Sequence, residues 1–310
     1  MRIVFMGTPD FAVESLKAIT KSDHEICAVV TIPDKQQGRG LKSKPSPVKE
    51  FALIHGYEIL QPEKLKDDIF ISKLKNYQAD CFVVVAFKIL PKEIFSIPAL
   101  GTINVHGSLL PAYRGAAPIN WVLINGEQNS GVTTMIINAN VDTGDILLQD
   151  TVNIDPEMDA GTLHNILAEK GADLLIETLK KVQSGKIQPI TQDNSLASKA
   201  PKITPELSVI DFNRKALDVH NLIRGLSPYP AAYTFWNSKK LKFYKTKVSL
   251  DNAKSFGPGE ITDVGKDFLK IKCAQGSIEV YEIQLEGKKR MRVQDFLNGY
   301  KFNISERFPS

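Results

Sequence analysis

Asn104, Val105, His106, Gly107 and Ser108 crowd an amide, an imidazole and a hydroxyl into five residues. They follow the apolar pair Thr102–Ile103 and lead into Leu109–Leu110–Pro111, so they read as the end of a strand. Alternation along a strand sends Asn104 and His106 to the same side. An asparagine amide is a neutral donor for a developing oxyanion. An imidazole exchanges a proton near neutral pH. Downstream, the turn Asp142–Thr143–Gly144–Asp145 offers a carboxylate. Beside a histidine, a carboxylate fixes the tautomer or stabilises the protonated ring. The three groups suit acyl transfer without a covalent intermediate. Alone, His106 would more often be a satisfied structural residue. Asn104 shifts that balance, and Asp142 at the same place would reverse it. Ser108 as a nucleophile lacks a G-x-S-x-G elbow.

The elements that must position these groups follow from hydrophobic periodicity. Ile3–Phe5, Ala28–Ile32, Cys81–Ala86, Thr102–Val105, Val132–Ile137 and Ile146–Asp150 read as strands. Phe82–Val85 is apolar without alternation, as in a central parallel strand covered on both faces. Helical spacing appears after Asp10, over Val48–His55, Ile69–Asn76 and Pro118–Asn125, and over Asp159–Gln183. This succession predicts an α/β fold with a doubly wound, mostly parallel, Rossmann-like sheet. In such sheets ligands bind beyond the carboxyl ends of the strands, where Asn104 and His106 fall. The turn Gly7–Thr8–Pro9–Asp10 lacks the G-x-G-x-x-G spacing, and Pro9 removes an amide, which disfavours a dinucleotide cofactor. Pro33–Pro47, rich in Lys, Gly and Pro, reads as a long loop.

The pattern fades between Ser184 and Pro205. A helix over Arg214–Arg224 and short strands at Leu241–Val248, Gly259–Val264, Phe268–Cys273 and Ser277–Glu282 then suggest a small OB-like β-barrel. The expected organisation is residues 1–188, a linker over 189–205, and a second domain over 206–310. Of the 310 residues, 43% are hydrophobic and 24% charged, an ordinary globular balance. Charge is uneven. Residues 1–200 hold 20 Lys/Arg against 23 Asp/Glu, whereas residues 201–310 hold 19 against 12. The basic second part suits either a polyanionic partner or a solvated surface. Cys27, Cys81 and Cys273 are scattered in apolar runs, as buried thiols in a reducing compartment would be. The five histidines are spread singly, and no metal site is expected. No long apolar run precedes the first strand, so a cytoplasmic protein without membrane attachment is expected.

The run from Asn104 to Pro118, NVHGSLLPAYRGAAP, with Asp142–Thr143–Gly144–Asp145 after it, resembles the formyltransferase superfamily. Met6–Ala12, the stretch Pro33–Gly40 continuing to Pro45–Lys49, Ala200–Glu206, Ile223–Pro228 and Gln284–Met291 resemble the methionyl-tRNA branch of it. The resemblance covers essentially the whole chain. It implies formyl transfer from 10-formyltetrahydrofolate, as co-substrate, to the α-amino group of initiator methionyl-tRNA, by a monomer and without a metal. It implies Asn104, His106 and Asp142 as the catalytic set. Ser108, Leu109, Leu110, Pro111, Phe87, Ile89 and Leu90 would border the folate. Arg39, Lys42 and Lys44 would contact the tRNA, and the basic second domain would hold its backbone. The family commonly has Tyr–Gly where this chain has Phe87–Lys88, which bears on how the folate packs. The alternatives are a formyltransferase for an amino-sugar nucleotide or a purine precursor, a formyl-folate hydrolase, and a noncatalytic folate- or RNA-binding protein. The last would not need the Asn104, His106 and Asp142 set. The purine enzyme would not need residues 206–310.

Overall fold

The structure, a computed structural model, describes residues 1–37, 42–250 and 255–309. In chain order its first elements are β1 (Arg2–Gly7), α1 (Asp10–Thr20), β2 (Glu25–Val30), β3 (Lys35–Gln37), β4 (Lys42–Lys44), α2 (Pro47–Ile54) and β5 (Ile59–Leu60). Next come α3 (Asp68–Asn76), β6 (Cys81–Val85), α4 (Lys92–Phe95), β7 (Thr102–His106) and α5 (Pro118–Ile124). They are followed by β8 (Asn129–Ile136), β9 (Ile146–Asn153) and α6 (Ala160–Gln183). The remainder is α7 (Ala216–Leu226), β10 (Ala232–Trp236), β11 (Lys239–Ser249), β12 (Ile261–Val264), β13 (Leu269–Lys272), β14 (Ser277–Leu285), β15 (Met291–Arg292) and α8 (Val293–Leu297).

Contacts divide the chain into two compact units. One holds Met1–Gly115, Ser130–Val152 and His164–Ala200; the other holds Ala116–Asn129, Asn153–Leu163 and Pro201–Ser310. The sequence suggests simple succession, but the units interleave. Residues 189–200, expected as linker, go with the first unit because their backbone is bonded into it. Ile190 exchanges two hydrogen bonds with Ile146, and Arg114 pairs with Lys199 as a parallel bridge.

The first unit is built on a seven-stranded sheet of order β5-β2-β1-β6-β7-β8-β9. The pairs from β5 to β7 are parallel, and β8 runs antiparallel to β7. All five residues of β6 are buried, which explains its unbroken apolar run. Two helix starts are capped as their sequences dictate. Ser46 accepts from the Lys49 amide before Pro47, and Asp67 accepts from the Ile69 and Phe70 amides. In α6, Leu163, Leu167, Leu175 and Leu179 are fully buried. A Cβ on Gly171 of this helix would stand 2.9 Å from Val105 Cγ1, so glycine lets α6 lie close against β7. The expected loop at Pro33–Pro47 contains the two-stranded pair β3–β4, with Lys35 opposite Lys44. These short polar strands satisfy one another's backbone and carry no apolar alternation to announce them.

In the second unit the strands expected as a barrel form a six-stranded antiparallel sheet, β10-β11-β14-β13-β12, with β15 on β14. Its core includes Phe212 and Phe243, each in contact with Phe308, and Phe296 and Phe302 against Trp236. Helix α7 is pinned by buried polar groups. Arg224 donates to Asn221 Oδ1 and to the Asp155 and Met158 carbonyls, and His220 to the Pro156 carbonyl.

Candidate active site

Strand β7 sets the first two groups. Its parallel register with β6 puts Asn104 opposite Val84, and Asn104 Nδ2 donates to the Val84 carbonyl at 3.0 Å. One amide hydrogen of Asn104 is thereby fixed, leaving the second for another acceptor. His106, opposite Thr133 on β8, is 7% exposed. Its Nε2 lies 3.0 Å from the Tyr113 carbonyl oxygen. A carbonyl only accepts, so Nε2 carries a proton and Nδ1 is the nitrogen open to proton exchange.

That nitrogen faces Asp142, with Nδ1 to Oδ2 at 3.8 Å and side-chain exposures of 8% and 16%. The same Oδ2 accepts from the Gly115 amide at 2.9 Å. The carboxylate is aimed by an unusual turn. Asp142 has φ 54°, a left-handed conformation that Asp tolerates better than most residues. A Cβ on Gly144 would overlap the Ile136 carbonyl, so only glycine lets the turn fold back onto β8. Tyr113, Gly115, Asp142 and His106 thus close a ring of contacts around the imidazole.

The other predicted residues are distributed as follows. Ser108 is fully buried and donates to the Ala112 carbonyl at 2.7 Å, bracing the turn after β7. Leu110 packs with Met135 and Ile146, and its carbonyl accepts from Gln149. Leu109 and Pro111 are half-buried beside it. Leu90 is buried in the core cluster that Phe87 packs against. Ile89 is 74% exposed and, with Leu90, Pro91, Lys64 and Lys92, lines an open groove of about 670 Å³. Lys42 belongs to β4, and Lys44 is exposed there. Arg39 lies outside the described residues.

In the second unit the lysines of β11 have a structural logic that the sequence reading missed. Lys240 and Lys242 alternate with buried Leu241 and Phe243, so Lys245 would next point inward. The ladder shifts register between Phe243 and Lys245, and Lys245 and Lys247 stay exposed. A bulge here keeps the positive side chains outward. The three-residue step from Lys242 to Lys245 within an alternating run was the available signal. Lys240 lies 3.8 Å over the Tyr233 ring, and the Arg290 guanidinium 4.3 Å over Tyr244. Also missed were the Tyr113 carbonyl, the Gly115 amide and Gln192, which no pattern marks.

A formyl transferase model matches residues 1–179, and a formyl transferase C-terminal domain model matches residues 202–301. The methionyl-tRNA formyltransferase of Acetivibrio thermocellus is 46% identical over 307 residues, 99% of each chain. That of Caldanaerobacter subterraneus subsp. tengcongensis is 48% identical over 308 residues, 99% of this chain and 98% of the relative. Among solved structures, the sugar 3N-formyl transferase WlaRD superposes with a TM-score of 0.68 at 22% identity, over 93% of this chain and 99% of its own. That match speaks for the fold. No helix among the described residues is long and apolar enough to cross a membrane. By these matches across nearly its whole length, the chain is an enzyme that belongs to the methionyl-tRNA formyltransferase family.

Proposed function

We propose that this enzyme transfers the formyl group of 10-formyltetrahydrofolate to the α-amino group of initiator methionyl-tRNA. One observation carries the reading: Asp142 stands beside His106, two residues from Asn104 on the same strand, in a chain nearly half identical to methionyl-tRNA formyltransferases. The amine attacks as the free base. A bond forms from its nitrogen to the formyl carbon, and the carbonyl electron pair moves to oxygen. Asn104 donates its second amide hydrogen to that oxyanion. Protonated His106 adds positive charge, which Asp142 holds in place. Collapse breaks the bond between carbon and N10 of the folate. The proton that the amine sheds passes through the His106 and Asp142 pair to N10.

Leu109, Leu110 and Pro111, with Phe87, Ile89 and Leu90, give an apolar border for the pterin, as ligand pockets generally have. Ser108 contributes through the turn it braces. Arg39, Lys42 and Lys44 approach the acceptor stem, while outward lysines of β11 hold the phosphate backbone. To test the reading, the protein is incubated with 10-formyltetrahydrofolate and charged initiator methionyl-tRNA, and the deacylated product is analysed. Formylmethionine is expected, with none from free methionine or uncharged tRNA. Absence of formylmethionine from the complete mixture overturns the assignment.

A further inference from the structure

The segment that the sequence marks as linker reaches back to the catalytic carboxylate. Gln192 is 6% exposed and its amide is used completely. Oε1 accepts from Arg114 Nε at 3.0 Å and Nη2 at 2.6 Å. Nε2 donates to the Asp142 carbonyl at 3.0 Å and to the Gly144 carbonyl at 2.7 Å. Two donors and two acceptors are all that a glutamine amide has, and no flipped orientation satisfies both sides.

Arg114 is held at its other points by the same segment. Nη1 donates to Asn194 Oδ1 at 3.0 Å, its amide to the Ser198 carbonyl, and its carbonyl accepts from Ala200. Its neighbours are the two backbone groups of the site. Tyr113 offers the carbonyl that accepts the hydrogen bond from His106 Nε2, and Gly115 offers the amide that donates to Asp142. The Tyr113 amide is itself tied to Ser198 Oγ at 2.8 Å.

We propose that Gln192 is a positioning residue for the formyl transfer inferred above. It locks the Asp142 turn to the Tyr113–Gly115 segment and so holds the carboxylate against His106 Nδ1. The inference rests on the proposed function for its kinetic arm alone.

Gln192→Glu is the decisive substitution. A glutamate still accepts from Arg114, but it cannot donate to the Asp142 and Gly144 carbonyls and sets negative charge against them. The expected result is a fall in kcat on the order of 100-fold, the scale of a misplaced catalytic group. KM for both substrates should stay within about twofold. In an Asp142→Asn background the same substitution should cost less than about twofold, because it acts through that carboxylate. Arg114→Lys, which keeps the charge and loses the fork, is the milder companion and should show the same selectivity for kcat. Equal losses in both backgrounds, or changes confined to KM, overturn the proposal.

A second readout needs no turnover. Nitrogen-15 spectra of the His106 ring should show an Nε2–H tautomer in the parent protein and an altered Nδ1 signal in Gln192→Glu. An unaltered Nδ1 signal counts against the clamp. If the parent protein makes no formylmethionine, the functional reading fails and the spectra alone decide on Gln192. If the parent is active and the Gln192 variants match it, only the positioning role falls.

Discussion

Replacing Asp142 with asparagine isolates charge from shape. The asparagine carbonyl can still accept from the Gly115 amide, so the ring of contacts around His106 survives. What disappears is the attraction between the carboxylate and protonated His106. At 3.8 Å and an effective dielectric of about 20, that attraction is about 4 kcal/mol. Both side chains are largely buried, so solvent screens little of it. If the transition state carries protonated His106, the loss corresponds to a rate lower by roughly a thousandfold. Single-turnover formylation with both substrates saturating measures this without interference from product release. The melting temperature should stay close to that of the parent. A decrease in rate of less than about tenfold, or one that appears only in KM, would refute the role assigned to the ion pair.

Asn104→Ala removes an oxyanion donor and should cost about 2.7–4 kcal/mol of barrier, read as a lower kcat with the fold retained. A near-normal kcat would exclude that role. Arg39→Ala should raise KM for the tRNA and leave kcat unchanged, and an unchanged KM would remove Arg39 from recognition. Binding of the tRNA should weaken with salt, and charge removal at Lys245 and Lys247 should each lower the logarithmic salt slope by about one. An unaltered slope would mean that the outward face of β11 does not meet phosphate. Burial holds the His220 imidazole below its usual 6.5. The unfolded chain therefore takes up this proton first as pH falls. The group's contribution to stability is full above the unfolded value and is lost as pH drops toward the folded one. His220→Gln should flatten the fall in Tm between about pH 7.5 and pH 5.5, and an identical profile would rule the group out.

What could be read from the sequence was whatever local periodicity encodes. Alternation placed Asn104 and His106 on one side of a strand, and the unbroken run at Phe82–Val85 announced a central parallel strand. The interleaving of the units had no such signature, because it depends on pairings such as Ile146 with Ile190. The Tyr113 carbonyl reaches His106 from a residue at φ 62°, a conformation that side-chain identity does not announce for tyrosine. Gln192 was invisible for a different reason. A single glutamine in a polar stretch acquires meaning only when its four partners arrive from Arg114, Asp142 and Gly144. The short pairs β5 and β15 and helices α4 and α8 are too brief to establish a period.

The strap from Ile190 to Ala200 also bears on how such chains can be cut and recombined. It directly precedes residues 201–310, the largest part of the second unit, yet its hydrogen bonds belong to the first. A fragment ending at residue 188 would retain Asn104, His106 and Asp142 and still lack the amide that fastens the Asp142 turn. Exchange of residues 201–310 between relatives keeps the native strap only with a seam after Ala200, and the incoming α7 must then fit the native Asp155, Pro156 and Met158 carbonyls. A crossover placed earlier would import a foreign strap against the native Arg114. Arg114 and Gln192 are thus expected to be inherited together, as one unit of descent, whatever module follows them.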